Sequence, residues 1–335
     1  MTTRRRINLS MRSLLVAAGW AAALGPAWPN ALAADKPKRI GVLFFTTELL
    51  SEPQRAALVG TLRERGWVEG KTVEFRFAYA GGDGGQLPAL LDGLLVQQLD
   101  LLMVTTTLAL QTARRANVRL PIVFSALPNL VGGGFVDSLA RPGGNLTGLS
   151  SQYEEVVIKL VELVHDMVPS ARRLAILLND NTPWHGPLWE ATRRACASLQ
   201  LTPIRAVAST PAQLSEAVAQ IVAQRAQAVV VATDPLFLTH RVRLHELLQA
   251  TRLPVGFGYR EHVQAGGLMS YGANLVASFS QAAKYVDKIL RGALPADLPI
   301  EQPTQFELVI NLKTAKLLGL KLPQTVLARA VEFIE

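Results

Sequence analysis

The stretch LPIVF at residues 120–124 is followed, 133 positions later, by the similar LPVGF at residues 253–257. Three other short apolar runs recur in the same order and at nearly the same offset: 39–45 with 173–178, 72–79 with 201–207, and 100–104 with 228–231. Longer helical patterns separate these runs, and strands that alternate with helices form parallel sheets covered on both faces. We therefore predict an α/β protein with two Rossmann-like, doubly wound lobes. Chance similarity between unrelated short strands is the alternative.

Composition excludes several classes of protein. Hydrophobic residues make up 49% and charged residues 18% of the 335-residue chain, which indicates a globular protein of two domains or lobes. The net charge is +8, but four arginines lie in residues 1–33, so the remainder carries only +4. No run of Lys or Arg with interleaved aromatic residues occurs, and we expect no nucleic-acid binding. The single cysteine, Cys196, excludes an internal disulfide and a multi-cysteine zinc or iron–sulfur site.

The first 33 residues show the order of features that defines a secretory signal peptide. Arginines at positions 4, 5, 6 and 12 precede an apolar run at 14–24, and Ala31-Leu32-Ala33 resembles a cleavage site. The run is shorter than the ~20 residues of a membrane span. A buried N-terminal helix is the alternative. No cysteine lies near the cleavage site to carry a lipid. We therefore expect a released, periplasmic protein, and the sequence leaves the Sec and twin-arginine routes open.

No stretch has the pattern of a catalytic or cofactor site. The glycine-rich segment 81–85 lacks the spacing of a dinucleotide-binding loop, and we interpret it as a flexible loop. His240 and His245 are five positions apart, which places them on different faces of a helix, and no other histidines form a metal-ligand pair. A nucleophile with a neighbouring base is also missing from the sequence pattern. We expect a protein that is not an enzyme and uses neither a cofactor nor a metal.

Small polar residues follow the predicted strands in both halves. Ligands of open parallel sheets bind beyond the carboxyl ends of the strands, where free N–H groups of helix N-termini favour anions. We predict polar ligand contacts from this set: Thr46, Thr47, Thr105, Thr106, Thr107, Asn179 and Asp234. Asp234 is the candidate partner of a ligand amine, and Tyr153, Tyr271 and Trp184 are candidate stacking surfaces. The alternatives are ordinary helix caps for the polar residues and hinge or core packing for the aromatic ones.

Three longer stretches carry a family resemblance. They read GFVDSLARPGGNLTG at 134–148, AGGLMSYG at 265–272 and QPTQFELVINLKTA at 302–315. Together they resemble the tryptophan/tyrosine-type solute-binding proteins of ABC transporters, and the resemblance covers essentially the whole chain after residue 33. It implies the type I periplasmic-binding-protein fold, in which two α/β lobes joined by three hinge crossovers close on one ligand. It also implies no catalysis.

The family architecture gives the expected lobe boundaries. Lobe 1 would hold residues 36–149 and 272–292, and lobe 2 would hold 150–271 and 293–335. Two positions depart from many relatives. Asn179-Asp180 stands where an Asn-Pro pair is common, and Leu127-Pro128 stands where an Asp-Pro pair is common. The first change adds a carboxylate near the cleft, so Asp180 joins the predicted ligand contacts, and the second removes one.

The resemblance implies an extracytoplasmic receptor that captures a small solute between its lobes. An amino acid or a similar small carboxylate is the expected ligand, because helix N-termini and one nearby acid suit both of its charges. The expected partners are a membrane permease of an ABC importer and its ATPase, and we expect a monomer. A ligand-binding sensor and an exported α/β enzyme are the alternatives.

Overall fold

The computed structural model describes residues 36–335, so the predicted signal peptide at residues 1–33 lies outside the described residues. Strands and helices alternate in the first part of the chain. In order, they are β1 (Lys38–Phe44), α1 (Glu48–Glu64), β2 (Val73–Tyr79), α2 (Leu87–Leu95), β3 (Leu101–Val104), α3 (Thr107–Arg115), β4 (Ile122–Leu127) and β5 (Leu146–Ser150). All four strand pairs among them are parallel, and the sheet order is β2-β1-β3-β4-β5.

The same alternation continues in the middle of the chain. The elements are α4 (Tyr153–Met167), β6 (Arg173–Leu178), α5 (His185–Ser198), β7 (Thr202–Val207), α6 (Leu214–Ala223), β8 (Ala228–Val231), α7 (Pro235–Thr239), α8 (Arg241–Thr251), β9 (Val255–Phe257), α9 (Arg260–Gln264) and β10 (Met269–Gly272). Five of these strands lie in the order β7-β6-β8-β9-β10, which repeats the order of the first sheet.

The C-terminal elements are divided between the two sheets. They are α10 (Leu275–Leu290), β11 (Glu307–Asn311), α11 (Leu312–Leu317), α12 (Gln324–Leu327) and β12 (Glu332–Ile334). Helix α10 packs on α1, β4 and β5, whereas β11 and β12 extend the second sheet to seven strands. Strand β11 runs antiparallel to β10, and the other pairs of this sheet are parallel. The predicted α/β class with two parallel-sheet lobes is confirmed.

We call the part built on the five-stranded sheet the first lobe and the part built on the seven-stranded sheet the second lobe. The chain passes between them three times: after β5, after β10, and between α10 and β11. The first and third of these crossings lie side by side, since the Ser150 N–H donates a hydrogen bond to the Glu301 carbonyl over 2.8 Å. The residue boundaries of the lobes, as predicted from the sequence, stay a prediction.

Each sheet is buried on both faces, which explains the apolar runs in the sequence. Every residue of β3 and of β8 is buried, and helices cover these central strands on both sides. Strands buried in this way read as continuous apolar runs. Of the helices in the described chain, none combines the length and apolar character that crossing a bilayer requires.

The structure differs from the sequence-based expectation at several elements. The sequence pattern predicts a helix over about residues 52–65, whereas α1 begins at Glu48, because the Thr47 hydroxyl accepts from the Leu50 N–H and caps it. Strands β5 and β10 were not predicted from periodicity. Both contain Gly and Ser, which have low strand propensity, and their neighbours in the sheet determine their conformation.

Candidate ligand-binding cleft

A cavity of about 720 Å³ lies between the lobes, at the carboxyl ends of the strands of both sheets. This volume lies in the range of small-molecule sites, roughly 300–1,000 Å³. The first lobe contributes loops that follow β1, β2, β3 and β4, and the second lobe contributes loops that follow β6, β7, β8 and β9, together with the start of α4. The cavity therefore occupies the position that the doubly wound topology favours for a ligand.

The N-terminus of α3 forms one polar part of the first-lobe wall. The Thr106 hydroxyl accepts from the Ala109 N–H over 3.1 Å and caps the helix. Helix geometry leaves the N–H groups of Thr107 and Leu108 without intrahelical acceptors. The Thr105 hydroxyl donates to the Leu43 carbonyl and thereby ties the loop to β1. This wall offers uncharged donors and the positive end of a helix dipole, a combination that suits an anion.

The glycine-rich segment 81–85, interpreted above as a flexible loop, is a second part of the first-lobe wall. The Gly82 N–H donates to the Phe45 carbonyl over 2.7 Å, and the Asp83 carboxylate accepts from the Gly85 N–H over 2.9 Å. The first bond holds the loop against the end of β1, and the second is internal to the loop. Glycine suits the segment because Gly81 and Gly82 adopt φ values of 60° and 89°.

The second-lobe wall centres on Asp234, which is 1% exposed and follows β8. Its Oδ1 accepts from Asn179 Nδ2 over 3.1 Å and from the Leu236 N–H over 2.8 Å, so it also caps α7. Its Oδ2 accepts from the Thr182 hydroxyl over 2.6 Å. Neutral donors thus hold the carboxylate in place, and they leave its negative charge uncompensated.

His185 lies beside Asp234 and is fully buried. Its Nδ1 accepts from the Asn179 N–H over 2.8 Å, which leaves the proton of a neutral imidazole on Nε2. Burial lowers the pKa of His185, although the Asp234 charge opposes this shift. Nε2 lies 3.9 Å from Asp234 Oδ2, beyond hydrogen-bonding distance. Among the described residues, Asp234 has no Lys or Arg within salt-bridge distance.

Three aromatic rings form an apolar part of the same wall. Tyr153 lies 5.4 Å from Trp184 and 6.2 Å from Tyr259, measured between ring centroids. The two tyrosine hydroxyls share a 3.0 Å hydrogen bond. Burial raises the pKa of Tyr153 to about 12 and that of Tyr259 well above its usual value, so both phenols stay neutral. Such rings offer flat apolar surface to a planar ligand.

Most of the predicted ligand contacts lie together in this cleft. The cavity is lined by Thr105, Thr106, Thr107, Tyr153, Asn179, Asp234 and Trp184. Thr105 and Thr106 also satisfy local hydrogen bonds, as the helix-cap alternative expects. Their role toward a ligand stays a prediction.

Four predicted contacts lie outside the walls of the cavity. The Thr46 hydroxyl pairs with Ser51 over 2.6 Å, and Thr47 caps α1. Asp180 forms an ion pair with Arg205 on the second lobe. The Tyr271 ring stacks on Phe306 at 5.7 Å between centroids, and both rings are partly buried against the core of the second lobe. In all four cases the residue follows or ends a strand, but it is not among the residues that line the cavity.

The sequence reasoning missed several residues that line the cavity. They include the segment 81–85 as well as Ser209, Thr210, His240 and Tyr259. Tyr259 carried a usable signal, because it lies two residues after β9, as other lining residues follow their strands. Residues 81–85 and 209–211 follow β2 and β7, which hold equivalent positions in the two sheets. In residues 36–335, no group of three or more His, Cys, Asp or Glu side chains is arranged to hold a metal ion.

Known proteins resemble this chain along most of its length. A curated tyrosine-binding protein of Clostridioides difficile (strain R20291) is 21% identical over 286 residues, which are 85% of this chain and 82% of the relative. A solved conserved domain protein from Vibrio cholerae is 26% identical, with a TM-score of 0.83. A solved ABC domain from Streptococcus pneumonia in complex with L-Trp is 24% identical, with a TM-score of 0.81. The alignment with each of these two solved structures includes the whole of that structure and 89% of this chain.

These similarities agree with the fold derived above, and solved structures of this kind have the type I periplasmic-binding-protein fold. The sequence profile described as ABC transporter substrate binding protein matches residues 42–334. That match spans both lobes and the cleft between them. The resemblance inferred from the three sequence stretches is therefore confirmed, and the chain belongs to the ABC transporter substrate-binding protein family.

Proposed function

We propose that the protein captures an amino acid, with an aromatic side chain preferred, in the cleft between its lobes and delivers it to an ABC importer. The observation that carries this proposal is the pairing of two opposite walls. One presents the N-terminus of α3, and the other presents the buried Asp234 carboxylate without a cationic partner. A ligand that carries both an anionic and a cationic group satisfies both walls.

The ammonium group of the ligand would pair with Asp234. Burying a charge is costly unless it is paired, and the neutral donors around Asp234 supply hydrogen bonds but no positive charge. His185 cannot supply it, because burial lowers the pKa of this residue. A ligand ammonium would both bind Asp234 and neutralise the site.

The carboxylate of the ligand would lie at the start of α3. The free N–H groups of Thr107 and Leu108 and the helix dipole favour an anion there. The Thr107 hydroxyl is a further donor on the same turn. We therefore propose Thr105, Thr106 and Thr107 as the carboxylate-binding segment, with Thr106 acting by holding the helix end in place.

The side chain of the ligand would lie against Tyr153, Trp184 and Tyr259. The Tyr153 ring lies 5.4 Å from Trp184 and 6.2 Å from Tyr259 between centroids, and Asn179 completes the same wall. Stacked or edge-on contacts between aromatic rings contribute about 0.5–1.5 kcal/mol beyond the burial of area. A relative described as a tyrosine-binding protein and a solved relative in complex with L-Trp support an aromatic ligand.

The remaining elements of the proposal go beyond the family assignment. A substrate-binding protein of an ABC transporter acts outside the cytoplasm and presents its ligand to a membrane permease coupled to an ATPase. We propose export by a signal peptide within residues 1–33, release into a periplasm, and action as a monomer without catalysis or cofactor. Closure of the two lobes around one ligand would be sufficient to bind it, and no chemical reaction is required.

A panel of ligands tests the proposal directly. Thermal shift and calorimetry on the purified protein would compare L-tyrosine, L-tryptophan and L-phenylalanine with analogues that lack the amine or the carboxylate. A true ligand at one hundred times its Kd stabilises the protein by about 2.7 kcal/mol. Each analogue that lacks a charged group should bind at least tenfold more weakly. Absence of any shift with all amino acids would refute the ligand class.

A further inference from the structure

The two lobes touch across the cleft where the glycine-rich segment 81–85 meets the end of α7. A Cβ atom at residue 82 would lie 2.8 Å from Thr239 Cγ2 and 3.3 Å from both Thr239 Cβ and His240 Nε2. Carbon atoms in proteins do not approach one another to 2.8 Å without displacing something. The approach of the second lobe therefore depends on the absence of a side chain at residue 82.

Both sides of this contact are held by their own lobe. The Gly82 N–H donates to Phe45 at the end of β1 over 2.7 Å, and the Asp83 N–H donates to Ala80 over 2.9 Å. The Thr239 hydroxyl donates to the Pro235 carbonyl over 2.8 Å, so its methyl group is the part that faces Gly82. Within its own lobe, neither partner can shift away from the other without breaking these hydrogen bonds, so an added side chain would have to separate the lobes.

The contact is also close to the proposed amine site. Helix α7 spans only Pro235–Thr239, its N-cap is Asp234, and its last residue is Thr239. A ligand charge on Asp234 and a lobe contact at Thr239 therefore act on opposite ends of the same five-residue helix. Movement of the second lobe shifts both together.

We propose that Gly82 is a positioning residue for ligand binding: its bare backbone lets Thr239 and His240 close against the first lobe and so retains the ligand. This inference rests on the proposed function, in which lobe closure traps the ligand. A side chain at residue 82 would hold the lobes apart and would act mainly by raising the dissociation rate. Most differences in affinity among variants of one interface arise in that rate.

Affinity measurements with L-tyrosine and L-tryptophan as probes test the steric argument. Gly82→Ala should weaken binding about tenfold or more, because an unrelieved overlap of this kind is typically costly. Gly70→Ala is the matched control, since Gly70 has a similarly positive φ of 75° but no atom lies within 4 Å of its Cβ position. It should leave the Kd within twofold of the parent protein.

A second substitution distinguishes a steric contact with Thr239 from backbone strain at residue 82. Thr239→Ser removes the methyl group that Gly82→Ala would strike but keeps the hydroxyl that binds Pro235. The double variant should recover most of the affinity that Gly82→Ala loses. Unchanged affinity of Gly82→Ala, or a double variant as weak as Gly82→Ala, would overturn the proposal, since strain alone is not relieved by Thr239→Ser.

Crosslinking tests the contact without any ligand. The Cβ positions of residues 82 and 239 are 3.3 Å apart, just below the roughly 3.5–4.5 Å of a disulfide, so Gly82→Cys with Thr239→Cys should crosslink on oxidation. Cys196 should not interfere, because it is buried and burial raises the pKa of its thiol to about 11.

The crosslinked protein should neither take up nor release a probe, and reduction should restore exchange. If neither L-tyrosine nor L-tryptophan binds the parent protein but the crosslink forms, the proposed ligand class fails and the lobe contact stands. Failure of the two cysteines to crosslink would overturn the contact itself, whatever the ligand.

Discussion

The two walls of the cleft come from lobes with the same strand order, yet they offer opposite chemistry. The first-lobe wall is uncharged where it meets the cavity at α3, and its donors belong to the backbone and to threonine hydroxyls. The second-lobe wall carries a buried carboxylate and three aromatic rings. Topology fixes where a ligand lies, whereas the residues after each strand determine which ligand is accepted.

The largest expected effect comes from removing the negative charge of the second-lobe wall. Asp234→Asn should weaken binding of an aromatic amino acid about a hundredfold or more, since removing one partner of a buried charge pair is costly. The variant should lose its preference for the amino acid over the analogue that lacks the amine. Calorimetry with both compounds measures this loss.

Asp180→Asn is the matched control for that experiment. Asp180 follows β6 on the same lobe, pairs with Arg205 and lies outside the cavity. Its substitution should change the Kd by less than about twofold, because exposed ion pairs contribute little. An equal loss in both variants would indicate that general charge on the second lobe, and not Asp234, selects the ligand.

The two lobes should respond differently to a fall in pH. All five histidines of the chain lie between residues 165 and 262, in the second lobe. Burial, with Arg241 and His245 nearby, lowers the pKa of His262 to about 3. An unfolded histidine titrates near 6.5, so below that pH the unfolded chain binds a proton that the native protein excludes. Stability contributed by neutral His262 is therefore lost as the pH falls from about 6.5 toward 3.

Unfolding at a series of pH values measures this effect. Between pH 7 and pH 5 the term for His262 amounts to about 2 kcal/mol, and His262→Phe should remove it. Phenylalanine keeps a flat ring that can stack on Phe257, as the His262 ring does at 4.5 Å between centroids, but carries no titratable group. Hydrogen exchange at pH 5 should show lost protection in the second lobe first. Equal slopes against pH for the parent protein and the variant would contradict the assignment.

The third prediction concerns the paired tyrosines of the aromatic wall. Tyr153→Phe or Tyr259→Phe should each destabilise the protein by about 1–2 kcal/mol, because the remaining buried hydroxyl loses its partner at 3.0 Å. The double variant should lose less stability than the sum of the two single losses, because both hydroxyls are then absent and neither is left unpaired. A thermodynamic cycle over the four proteins measures the coupling, and additive losses would show that the hydroxyls do not depend on each other.

The fold could be predicted from the sequence because its determinants are local. Buried strands such as β3 and β8 are continuous apolar runs, and the four-strand pattern repeats at a nearly constant offset. Strands β5 and β10 could not be found in this way, because their Gly- and Ser-containing sequences are extended only through pairing with their neighbours.

The candidate site was only partly predictable, for a different physical reason. The position after a strand shows which residues lie at the cleft edge of a sheet, and this was sufficient for Thr106, Asn179 and Asp234. It does not give the direction of the side chain, which turned Thr46 toward Ser51 and Tyr271 toward Phe306. The contact at Gly82 depends on two lobes meeting, which no local pattern encodes.

The smallest expected effect distinguishes a helix N-cap that lines the cavity from a helix N-cap that lies outside it. Thr106 and Thr47 cap α3 and α1 in the same way, since each hydroxyl accepts from the N–H three residues later, but only Thr106 lines the cavity. Thr106→Val and Thr47→Val should each cost about 1 kcal/mol of stability. Only Thr106→Val should also weaken ligand binding, by a few fold, because the free N–H groups of α3 would lose their fixed position. Equal Kd values for the two variants would mean that the start of α3 does not hold the ligand carboxylate, and the first-lobe wall would then contribute to binding through the lobe contact at Gly82 alone.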